Sequence, residues 1–254
     1  MTPDLHKTKD GSSTLYSKHF DQFYHNPNGA VSESLYVFFE KSGLTDFLSN
    51  ANSINILEIG FGTSLNFLLL LDLLKSAKNK VTVNYFTVEA YPIEIATAEN
   101  LNFSEHLEHQ ELNKLVPDFF SDLTPGMNSK KFLNNTVSLN LFYGHFKDFD
   151  EKSVKADFVF HDPFSPDVNG ELWTSEVFEK LAAHCSPKVI LTTYCAASKA
   201  RGAMAAAGWF VSKTRGALGK REMTIASLTE EKLTSFKRVN ENRLASRYKK
   251  GDFD

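Results

Sequence analysis

Apolar blocks alternate along this chain with segments of mixed polarity, and glycine, proline or small polar residues separate them. The apolar blocks have the length and density of buried strands. They are SINILEIGFG (53–62), KVTVNYFTVEA (80–90), VSLNLFYGH (137–145), ADFVFHD (156–162) and KVILTTYC (188–195). The segments SLNFLLLLDLLKSA, WTSEVFEKLAAHC (173–185) and SKARGAMAAAG (198–208) lie beside them and have the length of helices. Strands that alternate with helices predict an α/β fold around a doubly wound parallel sheet.

The pattern changes near the C-terminus. WFVSKTRGALGKREMTIASL (209–228) alternates, turns through Gly216 and Gly219, and alternates again, which is typical of a β-hairpin. The hairpin adds an antiparallel strand at the sheet edge. The sequence therefore predicts a mostly parallel sheet of seven strands.

The remaining segments predict how the chain is organised. Residues 1–52 form an N-terminal arm whose first 15 residues we expect to be a mobile lead-in. Residues 53–228 form the main domain, and 92–135 is a mostly helical insertion with a loop around LTPGMNSKK. Residues 229–254 form a basic tail, amphipathic or disordered. HFDQFYHN (19–26) interleaves aromatic and polar residues, and either closes over a ligand, contacts RNA or packs on the core.

Charge is distributed unevenly. The 254 residues carry a net charge of −3, yet from Lys199 onward 13 Lys+Arg face 6 Asp+Glu, a net of +7 that leaves −10 for the rest. A basic C-terminal quarter indicates either a polyanionic partner or a solvated charged face. No run reaches the roughly 18 apolar residues of a membrane helix, and no secretory leader or metal-ligand spacing is visible. We expect a cytoplasmic protein without a metal site.

The predicted strand ends concentrate glycines and acids. In parallel sheets, ligands bind outside the carboxyl ends of the strands. Gly60 and Gly62 end the first strand and permit a close approach to the backbone, whereas Leu65 stands where a dinucleotide fingerprint has its third glycine. Glu89 ends the second strand, as a ribose ligand or as an ordinary acid at a helix N-terminus. Asp162 ends the fourth, within the proline-containing stretch VFHDPFSP.

Four separated motifs carry a family resemblance. Glu-x-Gly-x-Gly on the first strand and an acid on the second are similar to class I S-adenosylmethionine methyltransferases. AVSES, LEIGFGTSLNFL, HDPFSP with ELW after it, and GALGKREM resemble the MnmC methyltransferase family, from about Phe20 to about Leu228. The resemblance implies a Rossmann-like class I methyltransferase fold and S-adenosylmethionine as cofactor. It also implies N-methylation of 5-aminomethyl(-2-thio)uridine at the tRNA wobble position.

The resemblance also implies a set of site residues. The cofactor-binding positions would be Tyr24, Gly29, Glu33, Glu58, Gly60, Gly62, Thr63, Asn66, Glu89, Gly144 and His145. His145 stands where the family has Asp beside the adenine, and Pro163 where it more often has Gly. Asp162 would be catalytic: a carboxylate at that strand end can orient the attacking amine and take its proton. The alternative for Asp162 is a turn cap.

Further positions point to RNA. Phe164 would offer a surface to the uracil ring. Lys213, Arg215, Lys220 and Arg221 cluster around the hairpin turn, and Lys199 and Arg201 open the preceding helix. We expect this group to contact the phosphates of a tRNA anticodon region; the alternative is a solvated hairpin. In fused relatives a flavin oxidase prepares the aminomethyl group, so we expect this chain to depend on a separate enzyme for it.

Other functions remain open on the sequence. A small-molecule amine methyltransferase or an aminopropyl transferase keeps the fold and changes the substrate, but does not account for the basic C-terminal quarter. A nicotinamide oxidoreductase lacks support because the third glycine is missing. A non-catalytic RNA-binding relative leaves Glu58 and Asp162 at strand ends without a purpose. Enzymatic turnover separates this last alternative from the methyltransferase.

Overall fold

A computed structural model describes residues 3–253. The strands are β1 (Asp4–Lys7), β2 (Ser13–Ser17), β3 (Gln22–Phe23), β4 (Ser53–Ile59), β5 (Thr82–Glu89), β6 (Gly126–Phe132), β7 (Val137–Tyr143), β8 (Ala156–His161), β9 (Cys185–Thr193), β10 (Phe210–Thr214), β11 (Met223–Ser227) and β12 (Lys237–Arg238). The α-helices are α1 (Ala30–Ser34), α2 (Leu44–Leu48), α3 (Leu65–Ser76), α4 (Ile95–Ala98), α5 (Val116–Phe120), α6 (Ser175–Ala183), α7 (Ser198–Ala206) and α8 (Glu241–Lys249). A π-helical stretch, Leu35–Glu40, joins α1 to α2.

The central sheet has nine strands in the order β12-β10-β11-β9-β8-β4-β5-β7-β6. The five inner strands from β9 to β7 pair in parallel, and β11, β10, β12 and β6 pair antiparallel at the two edges. The predicted α/β class, the parallel centre and the antiparallel C-terminal hairpin are confirmed. Successive strands leave β4 first on one side, to β5 and β7, and then on the other, to β8 and β9. This change of direction places the topological switch point between β4 and β8.

Apolar side chains cover both faces of the sheet. Alternate residues of β4 enter opposite clusters: Ile54 and Ile56 on one face, Leu57 and Ile59 on the other. Helix α3 packs on the first face and is almost entirely buried over its first seven residues. Because both faces are covered, the inner strands are continuous apolar runs, which is why the sequence identifies them.

The sheet has two strands more than the predicted seven, and one lies in the 92–135 segment. That segment contains α4, α5 and short 3₁₀ turns as expected, but Gly126–Phe132 is the edge strand β6, paired antiparallel with β7. The prediction of a loop there was wrong because β6 buries no residue fully and alternates only between half-buried and exposed. A polar edge strand of this kind lacks the apolar alternation that identifies a strand.

Both ends of the chain are folded within the described residues. Strands β1, β2 and β3 form a separate antiparallel sheet, where the sequence suggested a mobile lead-in. In the predicted tail, β12 pairs with β10 and α8 packs on α7. A Cβ at Gly202 of α7 would lie 3.0 Å from the Cβ of Tyr248 and 3.1 Å from the Leu244 carbonyl oxygen. The close helix contact needs a glycine at that position, so residues 229–253 belong to the main fold.

Candidate active site

The carboxyl ends of β4 and β8 meet at the switch point and form one wall of a cavity of about 750 Å³. The two loops cross closely: the Asp162 amide donates to the Ile59 carbonyl oxygen at 3.0 Å. Gly60 has φ +91°, and a Cβ there would lie 2.9 Å from the Asp162 carbonyl oxygen. The predicted reason for Gly60 was the approach of a ligand. The structure adds a second reason, because the neighbouring backbone, which positions Asp162, leaves no room for a Cβ at Gly60.

An amide on α3 joins the two acids of this wall. The Nδ2 of Asn66 donates to Glu58 Oε1 at 3.0 Å and to Asp162 Oδ2 at 3.1 Å. The hydroxyl of Thr87 donates to Glu58 Oε2 at 3.0 Å. Asn66 Oδ1 is buried and has no hydrogen-bond partner among residues 3–253. The network therefore holds both carboxyl groups and leaves one buried acceptor at the cavity.

Both carboxyl groups have a raised affinity for protons. Burial raises the pKa of Glu58 to about 7, against the hydrogen bonds from Asn66 and Thr87. Burial, together with the charges of Glu58 and Glu33, raises the pKa of Asp162 well above its usual range. Desolvation disfavours the charged form, and a neighbouring acid adds to the effect. Asp162 is therefore a stronger base than an exposed aspartate.

Side chains from three directions hold the loop that follows β8. The Tyr194 hydroxyl donates to the Pro163 carbonyl oxygen at 2.8 Å, and the Trp173 indole donates to the Phe164 carbonyl oxygen at 2.8 Å. The Ser165 hydroxyl donates to a side chain of the N-terminal arm at 2.9 Å. The prolines restrict the backbone, and these bonds fix its position. Asp162 is thus held in a defined place.

The N-terminal arm supplies aromatic rings to the cavity. The ring of Phe164 lies 4.6 Å from that of Phe20 and 5.1 Å from that of Tyr24 between centroids. Phe20 in turn lies 5.5 Å from the ring of Tyr91, which follows β5. Tyr91 meets the His145 imidazole edge-on at 5.9 Å. These rings form a continuous aromatic rim, and they show that the 19–26 segment closes over the cavity.

Glu89 at the end of β5 is oriented by backbone amides. Its Oε2 accepts from the Gly62 amide at 2.9 Å, and its Oε1 from the Tyr91 amide at 2.8 Å. Burial raises its pKa, while these amides act in the opposite direction. The Gly144 amide donates to the Glu89 backbone carbonyl oxygen at 3.0 Å. The ends of β4, β5 and β7 are therefore tied together around Glu89.

His25 joins the arm to the loop after β4. Its Nε2 lies 3.2 Å from the Thr63 hydroxyl and its Nδ1 lies 3.3 Å from the Thr14 hydroxyl. Burial lowers the pKa of His25 to about 4, so the imidazole is neutral near pH 7. A Cβ on Gly62 would lie 3.4 Å from the Tyr24 ring. Thr63 thus contacts the arm and lies behind the cavity wall.

An ion pair at the cavity joins the N-terminal arm to the C-terminal hairpin. Lys220 Nζ, on the turn between β10 and β11, lies 2.8 Å from Glu33 Oε1 on α1. Asn26 Nδ2 donates to the same oxygen at 3.1 Å, and Lys220 lies 5.0 Å above the Tyr194 ring. The ammonium group of Lys220 thus faces the cavity and an acid while its side chain is 41% exposed, and the phosphate contact of Lys220 stays a prediction.

The other predicted cations divide into two groups. Arg201 is buried and donates to Glu222 at 2.9 Å and to the Thr224 hydroxyl at 3.0 Å, so it has a structural position. Lys213 is also paired with Glu222. Arg215 and Arg221 are exposed, as a phosphate contact requires.

The structure brings most of the predicted site residues to one cavity. Those that line it are Tyr24, Glu33, Gly60, Gly62, Asn66, Glu89, Gly144, His145, Asp162, Phe164 and Lys220. Glu58 and Thr63 lie behind its wall, and Gly29 lies outside it, where a Cβ would meet Asp10. Tyr91 and Tyr194 line it but were missed. Both lie within two residues of a strand end, which is the signal that would have identified them.

Two further observations concern residues 3–253 as described. No helix among them is long and apolar enough to cross a membrane. They contain no group of three or more His, Cys, Asp or Glu side chains arranged to hold a metal ion.

Comparisons with known proteins identify the family of the chain. Residues 106–229 match a family model described as S-adenosyl-L-methionine-dependent methyltransferase. The chain is 33% identical over 229 residues to the tRNA 5-methylaminomethyl-2-thiouridine biosynthesis bifunctional protein MnmC of Leptospira interrogans, covering 87% of this chain and 35% of that protein. The MnmC protein of Campylobacter fetus is 31% identical over 218 residues, 84% of this chain and 34% of the relative.

A solved structure extends the comparison to the fold. MnmC2 from Aquifex aeolicus superimposes with a TM-score of 0.77 at 25% identity, over 97% of this chain and 75% of that one. The chain spans about a third of the length of its curated bifunctional relatives. The chain thus belongs to the MnmC-like family of S-adenosyl-L-methionine-dependent methyltransferases.

Proposed function

We propose that this protein transfers a methyl group from S-adenosylmethionine to the primary amine of 5-aminomethyl(-2-thio)uridine at the wobble position of tRNA. The observation that carries the proposal is Asp162, a carboxylate of raised proton affinity held at the switch point of a methyltransferase sheet. An amine acceptor needs such a group because an ammonium has no lone pair to attack with. Relatives named for 5-methylaminomethyl-2-thiouridine biosynthesis support the choice of nucleoside.

The cavity suits S-adenosylmethionine chemically. Asn66 Oδ1 is a buried acceptor without a partner, and the ammonium group of the methionine end is a matching donor. Gly60 and Gly62 leave the backbone after β4 free of side chains at this edge. Glu89 is oriented by amides at the second strand end, where a ribose-binding acid is expected. When bound, the cofactor supplies an electrophilic methyl group on a sulfonium.

The residues of the chain then have three tasks. Asp162 Oδ2 is held by Asn66, which leaves Oδ1 to accept a hydrogen bond from the amine, direct its lone pair and take its proton. The hydrogen bonds to the loop after β8 hold Asp162 in line, and such positioning accounts for much of a transfer rate. The aromatic rim of Phe20, Tyr24 and Phe164 excludes water and offers a ring surface to the uracil.

The RNA would approach over the hairpin turn. Lys220 lines the cavity, and the exposed Arg215 and Arg221 belong to the same turn. An anticodon nucleotide must leave its stack to enter a cavity, and aromatic surfaces with adjacent positive charge favour that state. The proposed acceptor is the primary aminomethyl group of the uridine. Its formation must precede this step because the methyl acceptor is the free amine.

The test uses labelled S-adenosylmethionine and bulk tRNA from cells that lack this activity. The tRNA is digested to nucleosides and the labelled product is identified by mass. A methylaminomethyl uridine is the expected product. Label in polyamines or other small amines, with none in tRNA, would favour the small-amine methyltransferase. Cofactor and tRNA binding without any product would favour a non-catalytic RNA-binding relative.

A further inference from the structure

Lys220 and Glu33 form the one ion pair of the described residues in which both partners line the cavity of Asp162. We infer that Lys220 is a positioning residue that acts through Asp162, keeping it in the carboxylate form and disfavouring a charged acceptor amine, and that Glu33 opposes it. The inference rests on the proposed function, since it concerns the amine acceptor. It adds a second role to the phosphate contact that the sequence predicts for Lys220.

Contacts through Tyr194 connect the Lys220 ammonium group to the loop of Asp162. Lys220 Nζ is 2.8 Å from Glu33 Oε1 and 5.0 Å above the Tyr194 ring. The same Tyr194 donates through its hydroxyl to the Pro163 carbonyl oxygen, one residue after Asp162. The cation, the ring and the loop of Asp162 are therefore one contiguous assembly. A phosphate ligand would have to compete with Glu33, whose side chain is only 12% exposed.

The cavity carries an excess of acids, so a single cation has a large influence. Among the described residues, the acids that line it are Glu33, Glu89, Asp162 and Glu171, and the lysines are Lys147 and Lys220. The other titratable groups that face it are Tyr24, His25, Tyr91, His145 and Tyr194, and Glu58 lies behind its wall. Without a nearby cation, acids at this density favour protonation of Asp162 and a charged amine. Either event stops the attack, because the base or the lone pair is lost.

The two partners act on Asp162 in opposite directions. Glu33 raises the pKa of Asp162 and Lys220 lowers it. Removing Lys220 therefore raises that pKa further and moves the acid limb of the pH–rate profile to higher pH. Removing Glu33 does the reverse. Loss of the ion pair as a structural tie is the same in both variants, so only an electrostatic role predicts opposite shifts.

The experiment compares Lys220→Gln, Glu33→Gln and Lys220→Arg with the wild-type enzyme. The acid limb of kcat/KM for an aminomethyl-uridine tRNA is expected to move up by about one pH unit in Lys220→Gln and down by a similar amount in Glu33→Gln. Lys220→Arg should keep the wild-type limb because it keeps the charge. Lys75→Gln removes a surface cation that is paired with Glu111 in an ion pair outside the cavity lining, and it serves as the matched control.

A second readout does not depend on turnover. The equilibrium binding of 5-aminomethyluridine, followed by calorimetry against pH, should show the same opposite displacements in the two variants. Suppose that the wild-type enzyme turns over, but that the acid limbs of Lys220→Gln and Glu33→Gln coincide with the wild-type limb or move in the same direction. That result would overturn the inference and leave the proposed function intact. A wild-type enzyme that methylates no aminomethyl uridine would overturn the proposed function, and the inference with it.

Discussion

The acids at the strand ends and the cations of the C-terminal quarter both stand out in the sequence, but they have different surroundings in the folded protein. Glu58, Glu89 and Asp162 converge on one cavity and are held by amides of the same region. Several of the cations instead pair with acids: Lys213 and Arg201 share Glu222. Arg238 of the same quarter pairs with Glu230 and Glu241.

The acids at strand ends and the count of cations differ in the structural information that they carry. Acids that follow parallel strands share one edge of the sheet, because hydrogen bonding between the strands forces their ends together. A count of charges carries no such constraint, since the partner that neutralises a cation is set only in three dimensions. Position at a strand end is therefore a stronger functional signal here than net charge.

The largest expected effect comes from replacing an acid at a strand end. Asp162→Asn keeps the size of the side chain and removes the base, so turnover should fall by about 10²–10⁴-fold. Cofactor binding, measured by calorimetry, should be retained. Asp167→Asn removes an exposed acid from the same loop and should leave turnover unchanged. Normal turnover in Asp162→Asn would mean that Asp162 serves as a turn cap.

The close contact between the loops after β4 and β8 can be disrupted without replacing an acid. Gly60→Ala places a Cβ 2.9 Å from the Asp162 carbonyl oxygen at φ +91°, and we expect a loss of about 3 kcal/mol in the free energy of unfolding together with lower turnover. Gly43→Ala also has a positive φ, +76°, but no heavy atom lies within 4 Å. It should cost only about 1 kcal/mol. Equal losses in urea unfolding would show that backbone strain alone explains Gly60.

Burial of Glu58 predicts a pH-dependent stability. Its pKa is raised from 4.5 to about 7, so the folded protein keeps a proton that the unfolded chain releases, and stability falls as pH rises through this window. Relative to Glu58→Gln, the wild-type protein should lose on the order of 3 kcal/mol between pH 4.5 and 7. The exposed Glu40→Gln controls for the loss of a charge. Parallel stability curves for wild type and Glu58→Gln would contradict the assignment.

The smallest expected effects come from replacing exposed cations near the turn between β10 and β11. Arg215→Gln and Arg221→Gln should each weaken tRNA binding a few-fold and lower the salt dependence of binding by about one ion. Lys213→Gln should change neither, because Lys213 is already paired with Glu222. Filter binding across a salt series measures both quantities. If all three variants behaved alike, net charge rather than exposure would determine the contact.

The sequence predicts the strand ends at the cavity but not the contacts between distant segments of the chain. The ends of β4, β5, β7 and β8 were predictable because continuous apolar runs identify buried parallel strands. The contact of Lys220 with Glu33 was not, since 187 positions separate them and nothing local pairs them. The close approach of Gly60 to Asp162 likewise depends on the pairing of β4 with β8. The edge strand β6 was missed because its exposed polar residues resemble a loop.

Synthetic anticodon stem-loops test the proposed acceptor nitrogen and the role of Asp162 together. Two synthetic anticodon stem-loops, identical except for uridine or 5-aminomethyluridine at the wobble position, are incubated with the purified protein and S-adenosylmethionine, and the nucleosides are analysed by mass. We expect one added methyl group on the aminomethyl nitrogen and none on the unmodified loop, with the product lost in Asp162→Asn. Methylation of the unmodified loop, or an unchanged yield in Asp162→Asn, would contradict this expectation.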